Sequence, residues 1–184
     1  MNRSQIPNLV TALRILLTIP VGWALLHERF ELALILFAVA GVSDGVDGFL
    51  AKQFNWTSWI GGILDPLADK ALLTVTFIVL AVLGLLPVWL VVFTIIRDLV
   101  ILLGALYYHF RVEYLVAEPR LLSKLHTTLQ ILLALLVVFV AAYGFSVDWL
   151  VQFGVALVAM TTLASGVDYV RVWSKRAARR SARS

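Results

Sequence analysis

Cysteine is absent from the 184 residues. Without thiols the chain has no disulfide framework, no zinc-thiolate or iron-sulfur site and no cysteine nucleophile. Charge is scarce as well: Asp, Glu, Lys and Arg make up 14% of the chain, against about a quarter in soluble domains. With five prolines, eleven glycines and no low-complexity tract, collagen-like and disordered classes are excluded. Basic residues outnumber acidic ones by fifteen to eleven. No nucleic-acid partner follows from that excess, because Arg171, Lys175, Arg176, Arg179, Arg180 and Arg183 crowd the C-terminal end and no soluble domain presents them. Apolar residues take the place of charge. They form 61% of the chain, the mean hydropathy is +0.95, and several runs approach the length of about 20 residues that crosses a bilayer.

Cutting the chain at clusters of polar and turn residues predicts an all-α integral membrane protein. Its six spans run from Ile6 to Leu26, Glu31 to Lys52, Ser58 to Gly84, Pro87 to His109, Pro119 to Tyr143 and Val147 to Trp173. The first is a true span rather than a cleaved signal, since it contains Arg14 and Pro20 and lacks a small-residue cleavage site. Short connections make neighbouring spans antiparallel, and six spans put both termini on one side. Placing them in the cytoplasm collects Arg3, Lys52, Arg111, Arg120, Lys124 and the six C-terminal residues there, against Arg29 alone opposite. The expected location is a bacterial inner membrane, with residues 1–184 forming one domain and about 174–184 a basic tail that meets anionic headgroups. Trp56, Trp59, Trp89, Trp149 and Trp173 fall near span ends, where interfacial tryptophans anchor.

A charge at the bilayer centre costs roughly 2.5 to 3.5 kcal/mol on insertion scales, so each one is a functional candidate. Arg14, Asp44, Asp47, Asp65, Asp69, Lys70, Arg97 and Asp98 all lie inside expected spans. Asp44 and Asp47 are spaced i,i+3, and Asp65 and Asp69 i,i+4, so each pair shares a helix face. At about 1.5 Å per residue from the turn at 53–57, the two pairs reach similar depths. Four carboxylates brought together repel one another unless cations stand between them. Hard oxygen ligands with no cysteine or histidine at that depth favour magnesium or manganese. Two such ions about 3.5 to 4 Å apart are a device for phosphoryl chemistry, which implies a phosphate-bearing substrate. Gly48, Gly61 and Gly62 beside these carboxylates allow close approach of a substrate or of another helix.

In order, the segment reads Asp44-x2-Asp47-Gly48-x2-Ala51-Lys52-x8-Gly61-x3-Asp65-x3-Asp69. It resembles the signature of the CDP-alcohol phosphotransferases, D-x2-D-G-x2-A-R-x8-G-x3-D-x3-D, at seven of eight fixed positions and with every spacing kept over 26 residues. The departure is Lys52, which keeps the charge of the family's arginine and replaces its planar fork by a point contact. The opening from Ile6 to Arg14, the pair Arg97-Asp98, and Ser123-Lys124-x2-Thr127-x2-Gln130 look most like the branches that make cardiolipin and phosphatidylglycerophosphate, with Ser165-Gly166-x2-Tyr169 a further point of likeness.

What this resemblance implies is a homodimeric membrane enzyme with a cytoplasm-facing cavity and two divalent cations, Mg2+ or Mn2+. It would transfer a phosphatidyl group from CDP-diacylglycerol to a glycerol-type acceptor and release CMP. The first expectation is phosphatidylglycerol giving cardiolipin, and the alternative is glycerol 3-phosphate giving phosphatidylglycerophosphate. By position, Asp44, Asp47, Asp65 and Asp69 match the metal ligands, Asp69 the general base, and Gly48, Ala51, Lys52 and Gly61 the cytidine-diphosphate-binding signature. Arg97 and Lys124 are candidates for the acceptor's phosphate, and an ion pair of Arg97 with Asp98 is the structural account that competes. A transporter with a buried cation site is the main reading of another class. Against it, the acidic residues cluster in two consecutive spans with no counterpart later. Prenyltransferases with Asp-rich motifs are a further rival, but they normally set those motifs on well-separated helices.

Overall fold

In the computed structural model, the backbone is described for residues 5–54, 59–111 and 121–181, and side chains for 16–43, 70–104 and 121–169. Six helices occupy the described residues, without a strand among them: α1 (Gln5–Leu26), α2 (Phe30–Phe54), α3 (Trp59–Val82), α4 (Val88–Arg111), α5 (Leu121–Tyr143) and α6 (Asp148–Ser181). Each coincides with an expected span to within a few residues, except that α6 continues well past Trp173. Hydropathy ends there, but helix propensity does not. Ala177, Ala178 and the surrounding Lys and Arg are among the strongest helix formers, so the backbone has no local reason to stop.

Three helix ends are closed by a residue in the left-handed region. Gly84 (φ 74°) ends α3: its N–H donates to Ala81 O at 3.0 Å, while that of Leu85 reaches back to Leu80 O at 2.9 Å. The same double closure ends α1, where the N–H of Glu28 donates to Leu25 O and that of Arg29 to Ala24 O. There the left-handed position, φ 56°, is held by a glutamate rather than a glycine. Gly144 closes α5 with a single bond from its N–H to Val140 O at 2.9 Å.

The chain divides into two compact units, 1–86 with 134–147 and 87–133 with 148–184. In the first, α1 packs against both α2 and α3. Val21, Ala24 and Leu25 of α1, Ala33, Phe37 and Ala40 of α2, and Leu73, Phe77 and Leu80 of α3 are buried at helical spacing. Small residues bring the axes close: a Cβ on Gly22 would stand 3.2 Å from Val75 Cγ1. In the second unit α4 packs on α6, and among the described residues it buries Thr94, Arg97, His126, Gln130, Thr162 and Ser165, against Thr18 and Thr76 in the first.

The outward surface is apolar. Ile19, Ile35, Val42, Leu103, Phe153 and Met160 are all more than half exposed, which in water would be an aggregating surface. Among the described residues two helices are long and apolar enough to cross a membrane, Leu121–Tyr143 and Asp148–Tyr169, and shorter apolar stretches cover Leu16–Leu26, Phe30–Ser43 and Lys70–Val82. These features are those of a membrane protein, and Trp23, Trp89 and Trp149 stand exposed near helix ends as an interfacial belt requires.

Candidate active site

Asp44 and Asp47 fall within α2, and Asp65 and Asp69 within α3. Unbroken helical backbone through both pairs preserves the one-face positions that the sequence spacing demands. Asp47 lies about 10 Å of helix from the end of α2, and Asp65 about 9 Å from the start of α3, at 1.5 Å per residue. The side chains of these four aspartates lie outside the described residues, as do those of Gly48, Ala51, Lys52, Gly61, Gly62 and Arg14. Among the described residues no group of three or more His, Cys, Asp or Glu is gathered that could hold a metal ion. The donor set itself, four hard carboxylates and no sulfur, suits a hard divalent cation such as magnesium or manganese.

The second unit shows a built polar interior. Arg97, on α4, is 5% exposed. Its Nε donates to Ser165 Oγ of α6 at 2.9 Å, and Nη2 donates to the same oxygen. Nη2 also donates to Ser123 Oγ of α5 at 3.1 Å, and Nη1 to Asp98 Oδ1 at 2.7 Å. One guanidinium thus ties three helices together. Successive residues diverge by about 100° around a helix, yet the long arginine side chain spans that angle and meets the carboxylate of its neighbour. Desolvating such a charge costs several kcal/mol. Charge-assisted bonds of about 1.5 to 3 kcal/mol each offset the cost.

One turn further along α5, His126 is fully buried, with Nδ1 3.1 Å from Thr161 Oγ1. The single hydroxyl proton of Thr161 goes to the carbonyls of Leu157 and Val158 at 2.9 and 3.0 Å. The oxygen is therefore left to accept, and the proton of this contact belongs to Nδ1 of the histidine. Thr94 and Thr162 return their hydroxyls to carbonyls one turn back, Leu90 O at 2.8 Å and Val158 O at 2.7 Å, which makes them compatible with a dry interior. Gln130 is buried on the same face of α5 as Ser123 and His126. Lys124 is exposed in the first turn of α5, one residue after Ser123.

Sequence reasoning singled out Arg97, Asp98 and Lys124 and quoted Ser123 and Ser165 only as points of likeness. Neither serine carries a role that local sequence alone would give it, and Thr161 belongs to no motif. A signal was present: Ser123, His126 and Gln130 recur at i, i+3 and i+7, and Thr161 and Ser165 at i and i+4, so each set forms a polar stripe on an otherwise apolar helix. Pairing those stripes with Arg97 required the fold.

Comparison with known proteins follows the same residues. The family model for CDP-alcohol phosphatidyltransferase matches residues 4–167. A rat protein named cardiolipin synthase (CMP-forming) is 33% identical over 91% of this chain and 61% of its own length. The human protein of that name is 31% identical with the same coverage. A rice protein, CDP-diacylglycerol--glycerol-3-phosphate 3-phosphatidyltransferase 1, chloroplastic, is 30% identical over 90% of this chain and 56% of its own length. The chain thus spans about three fifths of the length of these relatives.

Proposed function

The chain belongs to the CDP-alcohol phosphatidyltransferase family, and on that premise we propose that it transfers a phosphatidyl group from CDP-diacylglycerol to the hydroxyl of a glycerol-type acceptor, releasing CMP. The observation that carries the reading is the 26-residue signature from Asp44 to Asp69, helical at both of its acidic pairs and lying inside the matched region. Phosphatidylglycerol giving cardiolipin is the first choice of acceptor, in keeping with the names of the rat and human relatives. Glycerol 3-phosphate is the second, in keeping with the rice relative. A transporter with a buried cation site draws no support from this membership.

The chemistry assigned to the chain's own residues is an in-line substitution at phosphorus. The acceptor oxygen forms a bond to the lipid-linked phosphorus as the bond from that phosphorus to the CMP oxygen breaks. Asp44, Asp47, Asp65 and Asp69 would hold two divalent cations, which when bound would supply charge neutralisation at the diphosphate. Asp69 takes the hydroxyl proton. Lys52 meets the diphosphate as a point charge, and Gly48, Ala51 and Gly61 leave room for the nucleotide. Arg97 and Lys124 receive the acceptor's phosphate. The enzyme is a single domain over 1–184 with six spans, a homodimer in a bacterial inner membrane, with both termini and the carboxylate end cytoplasmic. Eleven of the fifteen Lys and Arg on that side support the orientation.

The test is CMP release by purified protein supplied with CDP-diacylglycerol, Mg2+ or Mn2+, and either phosphatidylglycerol or glycerol 3-phosphate, with the lipid product identified. Cardiolipin is the expected product, and phosphatidylglycerophosphate assigns the second acceptor. Chelation should stop release and added metal restore it. Asp44→Asn should lower the rate on the order of 100-fold with unchanged thermal stability, and retained activity would remove Asp44 from the metal site.

A further inference from the structure

Arg97 is reached from three sides, but its contacts are unequal. Ser165 is 1% exposed, and its one oxygen accepts from both Nε and Nη2, the edge of a guanidinium that ordinarily grips a carboxylate or phosphate in a fork. Ser123 is half-buried and accepts from Nη2 alone, at the longer distance of 3.1 Å. Its neighbour Lys124 is exposed. Both serines are neutral, so they orient the guanidinium without cancelling its charge, whereas Asp98 pairs with it at Nη1. The α6 side of the group is therefore fixed and dry. The α5 side, where Ser123 is half-buried and makes a single, longer bond, is the less tightly held of the two.

We infer that Ser165 is a positioning residue for the acceptor: its hydroxyl occupies the Nε/Nη2 fork of Arg97 and turns the remaining edge of the guanidinium toward an acceptor phosphate on the Ser123–Lys124 side. This rests on the reading of Arg97 as an acceptor-binding residue. Without Ser165 the fork is free to close on Asp98, whose carboxylate is within reach from the neighbouring position. The anion then meets a guanidinium that is already engaged and wrongly turned. Binding of the acceptor weakens, while the steps at phosphorus, which involve other residues, do not change.

The experiment compares wild type, Ser165→Ala, Ser165→Thr, Arg97→Lys and the Arg97→Lys/Ser165→Ala double variant. Each is assayed for transfer with the acceptor and CDP-diacylglycerol varied separately, and for thermal stabilisation by glycerol 3-phosphate and by inorganic phosphate. Ser165→Ala is expected to raise the apparent KM for the acceptor about tenfold, the worth of one charge-assisted hydrogen bond, with kcat and the apparent KM for CDP-diacylglycerol within about twofold of wild type. Ser165→Thr, which keeps the hydroxyl, should restore the value. In the Arg97→Lys background, where no fork exists to be held, removing the Ser165 hydroxyl should add nothing. Equal rises in both KM values, or a fall in unfolding temperature with no KM change, would show Ser165 to be a packing residue and overturn the inference. Wild-type transfer combined with an unaltered acceptor KM in Ser165→Ala sinks this inference alone. Neither transfer nor phosphate-dependent stabilisation in the wild type sinks it together with the reading of Arg97.

Discussion

Arg97 and Asp98 illustrate how a membrane interior treats charge. Separately, each would cost energy in hydrocarbon; together, at 2.7 Å, they form a pair whose cation is also satisfied by two hydroxyls from other helices. Removing one partner leaves the other as an uncompensated charge. Asp98→Ala is therefore expected to lower stability by about 3 kcal/mol, measurable as a reduced unfolding temperature in detergent. Thr94→Val should be far milder, because that hydroxyl bonds only to its own helix at Leu90 O and leaves no orphaned partner on another element. Similar effects for the two variants would contradict the view that the inter-helix network around Arg97 holds the second unit together.

At the scale of the element, the helix ends are set by residues whose reasons are local. Gly84 and Glu28 occupy the same position in the same closing motif, but only one is free of a Cβ. A left-handed conformation costs a non-glycine residue about 1 kcal/mol or more. Glu28→Gly should relieve that cost and raise stability by about 1 kcal/mol, whereas Gly84→Ala should lower it by a similar amount. Differential scanning measurements on the two variants in one detergent would check both signs. The side chain of Glu28 is exposed and the N–H bonds of the closing motif run between main-chain atoms, so the substitution removes strain without removing a structural contact. The element scale also accounts for α6: its length to Ser181 comes from alanine and basic residues that extend a helix beyond the apolar stretch that begins it.

For the whole molecule, what matters is which solvent surrounds the exposed apolar side chains. The proposed topology, six spans with both termini on one side, is directly testable by single-cysteine labelling because the chain has no native cysteine. Ser184→Cys should react with a membrane-impermeant thiol reagent only from the cytoplasmic side. Ser146→Cys, in the exposed turn between α5 and α6, should react only from the opposite side. Labelling of both positions from one side would require an odd number of crossings in the chain or a re-entrant segment in place of α6.

The composition and periodicity of the sequence determined that the chain is helical and apolar, where its helices lie, and that the acidic signature sits on consecutive helices. These follow from main-chain hydrogen bonding in a medium without water and from the need for about 20 apolar residues per crossing, which any reader of the sequence can count. The end of α3 was also legible, because Gly84 ends an apolar run and precedes Pro87. The partners of Arg97 were not legible. Ser165 is 68 residues away and Ser123 is 26, and no local rule decides which of many hydroxyls faces a given guanidinium. Only packing decides that. A buried cation takes whichever acceptors the neighbouring helices bring within about 3 Å, and the rotation of each helix about its own axis is fixed by the interlocking of all its neighbours rather than by its own sequence.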